Sequence, residues 1–146
     1  MTTETGTAGK PAKKPGRKKT KFTVADCDRV FSIYIRLRDT KGNYGNCAAC
    51  RRGIHYASCH NGHYVGRQFY KYRWDPKNCA ACCVNCNVFL EGNKGPFSRW
   101  IDKTWGAGTA EMLDGTKTGG RKPKSYELKE IYEQIQEAIK QQEGTP

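Results

Sequence analysis

Cys47-Ala48-Ala49-Cys50 and Cys83-Val84-Asn85-Cys86-Asn87 bracket the stretch whose reading decides the fold. Between them lie Gly62-His63-Tyr64 and Arg73-Trp74-Asp75-Pro76-Lys77-Asn78, and Glu91-Gly92-Asn93 follows. Two Cys-x2-Cys pairs are the usual knuckles of a tetrahedral zinc site. Cys47/Cys50 is one pair. The second pair has two registers, Cys79/Cys82 and Cys83/Cys86. Cys83/Cys86 is preferred because a polar helix beginning with Asn87 follows it at once; Cys79 or Cys82 as a ligand is the alternative. In the preferred register Cys59, Cys79 and Cys82 remain as buried or free thiols. Most such sites hold a fold and do nothing else, so the pairs alone signal metal more strongly than function.

Composition agrees with a stapled domain. The 146 residues leave room for one domain plus tails. Only 36% are hydrophobic and mean hydropathy is -0.85, so the core is small and needs a disulfide or metal. Residues 1–15 are polar and carry no apolar signal segment, and no stretch approaches the roughly 20 apolar residues of a membrane span. A reducing cytosol is therefore expected, where paired cysteines bind metal more often than each other.

Net charge is +12 with a pI of about 9.4. Residues 1–22 contain seven Lys/Arg and one acid, residues 23–105 thirteen and six, and residues 106–146 six and seven. The basic charge thus sits on the N-terminal tail and the cysteine region, which suits a phosphate backbone. A merely solvated surface is the plainer reading of the tail.

Residues 1–22, rich in Thr, Gly, Pro and Lys, are expected to form a disordered basic arm. Thr23 to about Arg38 reads as a helix capped by Thr23, with Val24, Cys27, Val30, Phe31, Tyr34 and Leu37 on one apolar face. Lys41–Asn46 reads as a turn. Strands are expected around Cys59–Val65 and at Phe69–Trp74, the latter alternating Tyr70, Tyr72 and Trp74 with Lys71 and Arg73. A short helix should run from near Cys83 to Gly92, and Pro96 can open another carrying Phe97, Trp100, Ile101 and Trp105. Residues 106–122 read as a linker or mobile loop with a helical piece near Ala110–Leu113. Residues 123–146 contain a last amphipathic helix, about Ser125 to Gln142, striped by Leu128, Ile131, Tyr132, Ile135 and Ile139. Packing on the domain is the default meaning of that stripe, and a homodimer contact the lesser one.

Phosphodiester hydrolysis needs a base for water and a cation for phosphate charge. A neutral imidazole, with an unperturbed pKa of about 6.5, suits the base, and Mg²⁺ or Mn²⁺ held by few oxygens suits the phosphate. Zinc tying both knuckles together would bring the strand with His63 opposite the helix opened by Asn87, whose side-chain oxygen can ligate the cation. The competing reading makes the histidine a surface group or a zinc ligand. Glu91, four residues on from Asn87, can assist the cation or simply be a helix-end charge. His60 can face the metal or support from behind. Arg67, Lys71 and Arg73 are candidates to grip DNA backbone. Tyr70, Tyr72 and Trp74 either stack on unpaired bases or pack in the core.

Phe31-Ser32-x-Tyr34-Ile35-Arg36-Leu37-Arg38-Asp39, Cys47-x-x-Cys50, Gly62-His63-Tyr64, Arg73-Trp74-Asp75-Pro76-x-Asn78 and Cys83-x-x-Cys86-Asn87 with Gly92-Asn93 resemble, in that order, the NinG (Rap) recombination proteins of lambdoid phages. The resemblance covers about residues 23–142. The Cys-x-x-Cys-Asn ending is also similar to phage endonuclease VII and the wider HNH, or His-Me finger, class. It implies an α+β fold: a small zinc-stabilised ββα-metal core with flanking helices, residues 23–105 forming the nuclease and DNA-binding domain. It implies a phage-encoded endonuclease in the host cell cytoplasm, acting on Holliday junctions or D-loops alongside other phage recombination proteins. By position, His63 would be the general base, Asn87 a ligand of the catalytic Mg²⁺ or Mn²⁺, and Asn78 the residue that holds the hairpin loop and orients the base. One departure is Gly62, where related sites often carry an Asp metal ligand. Glu91, His60 or water is left to supply that ligand. The rival readings are a non-catalytic zinc module that binds DNA junctions and a zinc-stabilised protein adaptor.

Overall fold

The computed structural model describes Ala12, Gly16 and residues 21–144. The expected basic arm therefore lies almost wholly outside the described residues. Phe22, at its end, packs its ring 5.1 Å from that of Tyr132.

Helix α1 spans Val24–Asp39. It starts where it does because Thr23 and Asp26 form a capping box: the Asp26 amide donates to the Thr23 hydroxyl (3.3 Å) and the Thr23 amide to the Asp26 carboxylate (2.9 Å). It stops where Thr40 turns extended and its hydroxyl donates to the Arg36 carbonyl (2.6 Å). Cys27, Val30, Phe31 and Ile35 are its buried face. They meet α4, Ser125–Glu143, through Leu128 and Ile135; the Cys27 thiol donates to the Leu128 carbonyl (3.2 Å). Burying each large side chain here stabilises by about 1.5–3 kcal/mol, so Ile35→Ala would cost about 2–5 kcal/mol. The apolar stripe of α4 is thus covered by α1 within the chain.

Strands β1 (Thr40–Lys41), β2 (Tyr44–Asn46) and β3 (Gly53–His55) form an antiparallel sheet in that order. Gly42 and Asn43 take φ of 57° and 70°, so the expected turn is a two-residue hairpin loop. The first cysteine pair fills the connection from β2 to β3.

A second antiparallel pair joins β4 (His60–His63) to β5 (Cys79–Cys82), with His60 opposite Cys82 and His63 opposite Cys79. A π-helical turn, Asn85–Phe89, follows directly. The last turn of α1 is bound to this hairpin. Arg38 donates to the carbonyls of Pro76 and Cys79 (both 2.8 Å), and the Asp39 carboxylate accepts from the Ala81 amide (2.8 Å).

The strand expected at Phe69–Trp74 does not form. Tyr70–Tyr72 is a 3₁₀ turn inside the long hairpin loop, because the backbone of this stretch bonds to itself and to side chains. The Arg73 amide donates to the Tyr70 carbonyl (3.4 Å) and the Asp75 amide to the Tyr72 carbonyl (3.3 Å). The aromatics consequently do not share an open face. Tyr72 is buried, and the Trp74 indole donates to Asp28 (2.9 Å).

Helix α2 spans Lys94–Trp105 and buries Phe97 and Ile101; α3 spans Thr109–Gly115 and buries Ala110 and Leu113 in the same core. Residues 106–122, read from composition as a linker, thus pack on the domain. The Gly119 carbonyl accepts the Tyr70 amide (3.2 Å), and Thr116 meets the Tyr72 hydroxyl. Glycine and threonine mask the two apolar side chains that anchor the segment. Among the described residues no helix is long and apolar enough to cross a membrane.

Candidate functional site

Cys47, Cys50, Cys83 and Cys86 bring their sulfurs within 4.8 Å of one another. Cys50 and Cys83 lie 3.7 Å apart. Four thiolates at about 2.3 Å from one zinc sit about 3.8 Å apart, so the cluster fits a structural tetrahedral site. The Cys86 amide donates to Cys83 Sγ (3.4 Å) and the Asn93 side-chain amide to Cys86 Sγ (3.5 Å), which suits sulfurs that carry charge. The preferred register is the one the fold assembles. Cys79 is fully buried beside α1, away from the four. Cys82 lies beside the cluster without joining it: its thiol lowers the pKa of Cys47, and Cys47 and burial raise that of Cys82. Without a metal, burial raises the pKa of the Cys83 thiol.

The same Cys82 thiol accounts for Gly62. A Cβ at residue 62 would lie 2.7 Å from Cys82 Sγ, so the position where related sites carry an acidic ligand has no room here for a side chain unless Cys82 shifts. Cysteine centre and hairpin are one packed unit.

His63 ends β4. Its Nε2 lies 2.9 Å from the Arg73 carbonyl, which can only accept, so the proton sits on Nε2 and Nδ1 keeps its lone pair. Burial pushes the imidazole below its usual range; the Arg73 carbonyl opposes this and does not cancel it. His63 is therefore neutral at pH 7.

Asn78 is fully buried at the other end of the hairpin loop. Its Oδ1 accepts from the Val65 amide (2.7 Å), and its Nδ2 donates to the carbonyls of Val65 (2.9 Å) and Tyr72 (3.0 Å). One side chain thus pins both ends of the stretch that presents the Arg73 carbonyl to His63.

An open cleft of about 490 Å³ gathers His60, His63, Asn87 and Glu91 with Asp28, Arg36 and Arg67 along its lining. Asn87 follows the second knuckle in the π-helical turn and donates its side-chain amide to His60 Nδ1 (3.1 Å), which leaves its Oδ1 for another partner. Glu91 lies beyond that turn, exposed, at φ 48°. Asn61 also lines the cleft, and its Oδ1 is buried without a hydrogen-bond partner. Amide and carboxylate oxygens beside a half-buried imidazole are a donor set that suits a hard divalent cation.

Of the three cations expected to grip DNA, only Arg67 lines the cleft, with its side chain 63% exposed. Lys71 is exposed and donates to the Thr116 carbonyl (3.1 Å). Arg73 is taken out of that set: Nε and Nη2 grip the Asp28 carboxylate (3.0 and 2.6 Å), Nη1 donates to the Arg67 carbonyl (2.7 Å), and its side chain is only 14% exposed. Its cation holds the loop on α1.

Sequence reasoning missed Asp28, Arg36 and Asn61. Asp28, Ser32 and Arg36 recur every four residues on α1 and all line the cleft. That polar stripe beside the apolar one passes for a solvated helix face.

Fold and cysteine centre define a small α+β domain positioned to bind one metal ion. Residues 4–144 match the family model described as Bacteriophage Lambda NinG protein, and the chain belongs to that family. No curated protein and no solved structure matches it.

Proposed function

We propose that the chain is a structure-specific DNA endonuclease of the His-Me finger type. It acts on branched recombination intermediates, Holliday junctions or D-loops, by divalent-metal-assisted phosphodiester hydrolysis. The observation that carries the reading is the state of His63: neutral, with Nε2 tied to the Arg73 carbonyl and Nδ1 unprotonated, beside the oxygens of Asn87 and Glu91 in one cleft.

His63 Nδ1 takes a proton from the water whose oxygen attacks phosphorus. Asn78 and the Asp28–Arg73 pair hold the loop so that the ring does not turn. His60 orients Asn87 through its Nδ1. Asn87 and Glu91 would hold Mg²⁺ or Mn²⁺, with Asn61 a further oxygen; such a cation neutralises phosphate and leaving-group charge. Arg67 at the rim meets the backbone of the bound strand. The +12 charge brings the polyanion to the protein.

The test is cleavage of labelled duplex, single-strand, three-way and four-way DNA with Mg²⁺ or Mn²⁺, comparing wild type with His63→Ala and both with EDTA. Branch-selective cutting that the variant loses while keeping its zinc is the expected result. Intact DNA in every lane, with branch-selective binding retained, would instead leave a junction-binding zinc domain.

A further inference from the structure

A second groove lies on the other knuckle. Ala48 and Ala49 of the first cysteine pair line it, together with Arg51, Arg99, Trp100 and Lys103. Its volume is about 630 Å³. A smaller hollow of about 310 Å³ continues it past Ala48, Arg51 and Trp100 to Lys41 and Arg38. Neither shares a lining residue with the cleft that contains His63.

The charge is one-sided. Lys41, Arg51, Arg99 and Lys103 are exposed and make no ion pair among the described residues. The one carboxylate in the lining, Asp39, is already held by Arg38 (2.7 and 2.9 Å) and by the Ala81 amide. Helix α2 divides cleanly to make this face: Phe97 and Ile101 are buried in the core, while Pro96, Arg99, Trp100 and Lys103, at helical spacing, line the groove. Arg51 adds an independent sign. It sits at φ 65°, a left-handed backbone that suits glycine and is uncommon for a long side chain. Here the knuckle carries a cation there.

We propose that this groove binds the sugar–phosphate backbone of a second DNA segment, with Trp100 as its aromatic wall. Four unpaired cations along a continuous channel match a polyanion of regular charge spacing. The two cysteine knuckles form one metal centre, so the centre fixes the angle between this groove and the His63 cleft. A branched DNA can occupy both surfaces with two arms; a linear duplex occupies one. The inference rests on the reading that the ligand is branched DNA, and it does not need that DNA to be cut.

The experiment measures binding of the full chain to a four-way junction and to a linear duplex across a KCl series without Mg²⁺. Wild type is compared with Arg51→Gly/Arg99→Ala/Lys103→Ala, and with Arg51→Lys/Arg99→Lys as a charge-preserving control. Zinc content and circular dichroism verify the fold. Glycine at residue 51 relieves the left-handed backbone, so the triple variant is built to fold. The expected result is a tenfold or greater loss of junction affinity and a fall of about three in the salt slope, with duplex affinity changed less than threefold and the control unchanged. Unchanged junction affinity and slope would overturn the proposal and leave an acidic protein as the occupant. Equal losses on junction and duplex would overturn it too, because the groove would then be the main DNA surface and not a second one. Cleavage is not read, so failure of the nuclease assignment leaves these outcomes interpretable.

Discussion

The Arg73 carbonyl fixes the His63 ring while the Arg73 guanidinium fixes the loop to Asp28 of α1. One residue therefore uses its backbone to set a tautomer and its side chain to hold that backbone still. Asp28→Ala would free Arg73 and the Trp74 indole together and cost about 2–3 kcal/mol, as for hydrogen bonds to a charged group. In the proposed enzyme kcat should fall while zinc is retained, since no cysteine ligand is touched. Urea denaturation and a metal assay check the two halves.

Burial depresses the His63 pKa, which gives the pH response a sign. The unfolded histidine titrates at about 6.5, and the folded one lower. Below about pH 6.5 the unfolded chain binds the proton first, so this contribution to stability is full above that pH and shrinks as pH falls through the folded value. Melting temperature followed from pH 7.5 to 5 should drop less in His63→Ala than in wild type. The acid limb of kcat/KM for cleavage should lie below the ordinary histidine range.

Asn78→Asp keeps an acceptor for the Val65 amide and turns a donor into an acceptor facing two carbonyls. With the side chain fully buried, the expected cost is about 2–4 kcal/mol. Asn78→Ala should cost a similar amount by leaving three backbone groups without partners. Equilibrium denaturation gives both figures.

Zinc stoichiometry separates the cysteines. Cys83→Ser should lose the metal and with it most of the folded signal, while Cys79→Ala and Cys59→Ala should keep one zinc per chain. Metal retained in Cys83→Ser and lost in Cys79→Ala would reverse the register.

Gly62→Ala places a methyl 2.7 Å from Cys82 Sγ. Overpacking of this kind costs about 1–3 kcal/mol. Adding Cys82→Ala removes the obstructing sulfur and should restore much of that loss. A double-mutant cycle in urea measures the coupling.

Local signals in the sequence were enough for α1, with its Thr23 cap and three-and-four spacing, and for the stripe of α4. Cys-x2-Cys spacing gave Cys47/Cys50 and left two registers for the second pair, between which the polar helix beginning with Asn87 chose; the role of Asn78 came only from the family resemblance. Helices and cysteine pairs depend on neighbours a few residues apart, where helical period, capping chemistry and ligand spacing act directly. The loop from Tyr64 to Asn78 was different. Its alternating aromatics satisfy a strand pattern, yet no partner strand is there, and a buried amide claims its backbone instead. Only the tertiary structure decided that Arg73 holds a loop and does not face solvent, that Cys82 occupies the space beside Gly62, and that Asp28 and Arg36 of α1 enter the cleft. Each of these depends on a contact between segments far apart in the chain. Such a contact is selected by packing and by the need to pair buried polar groups, and no local period records it.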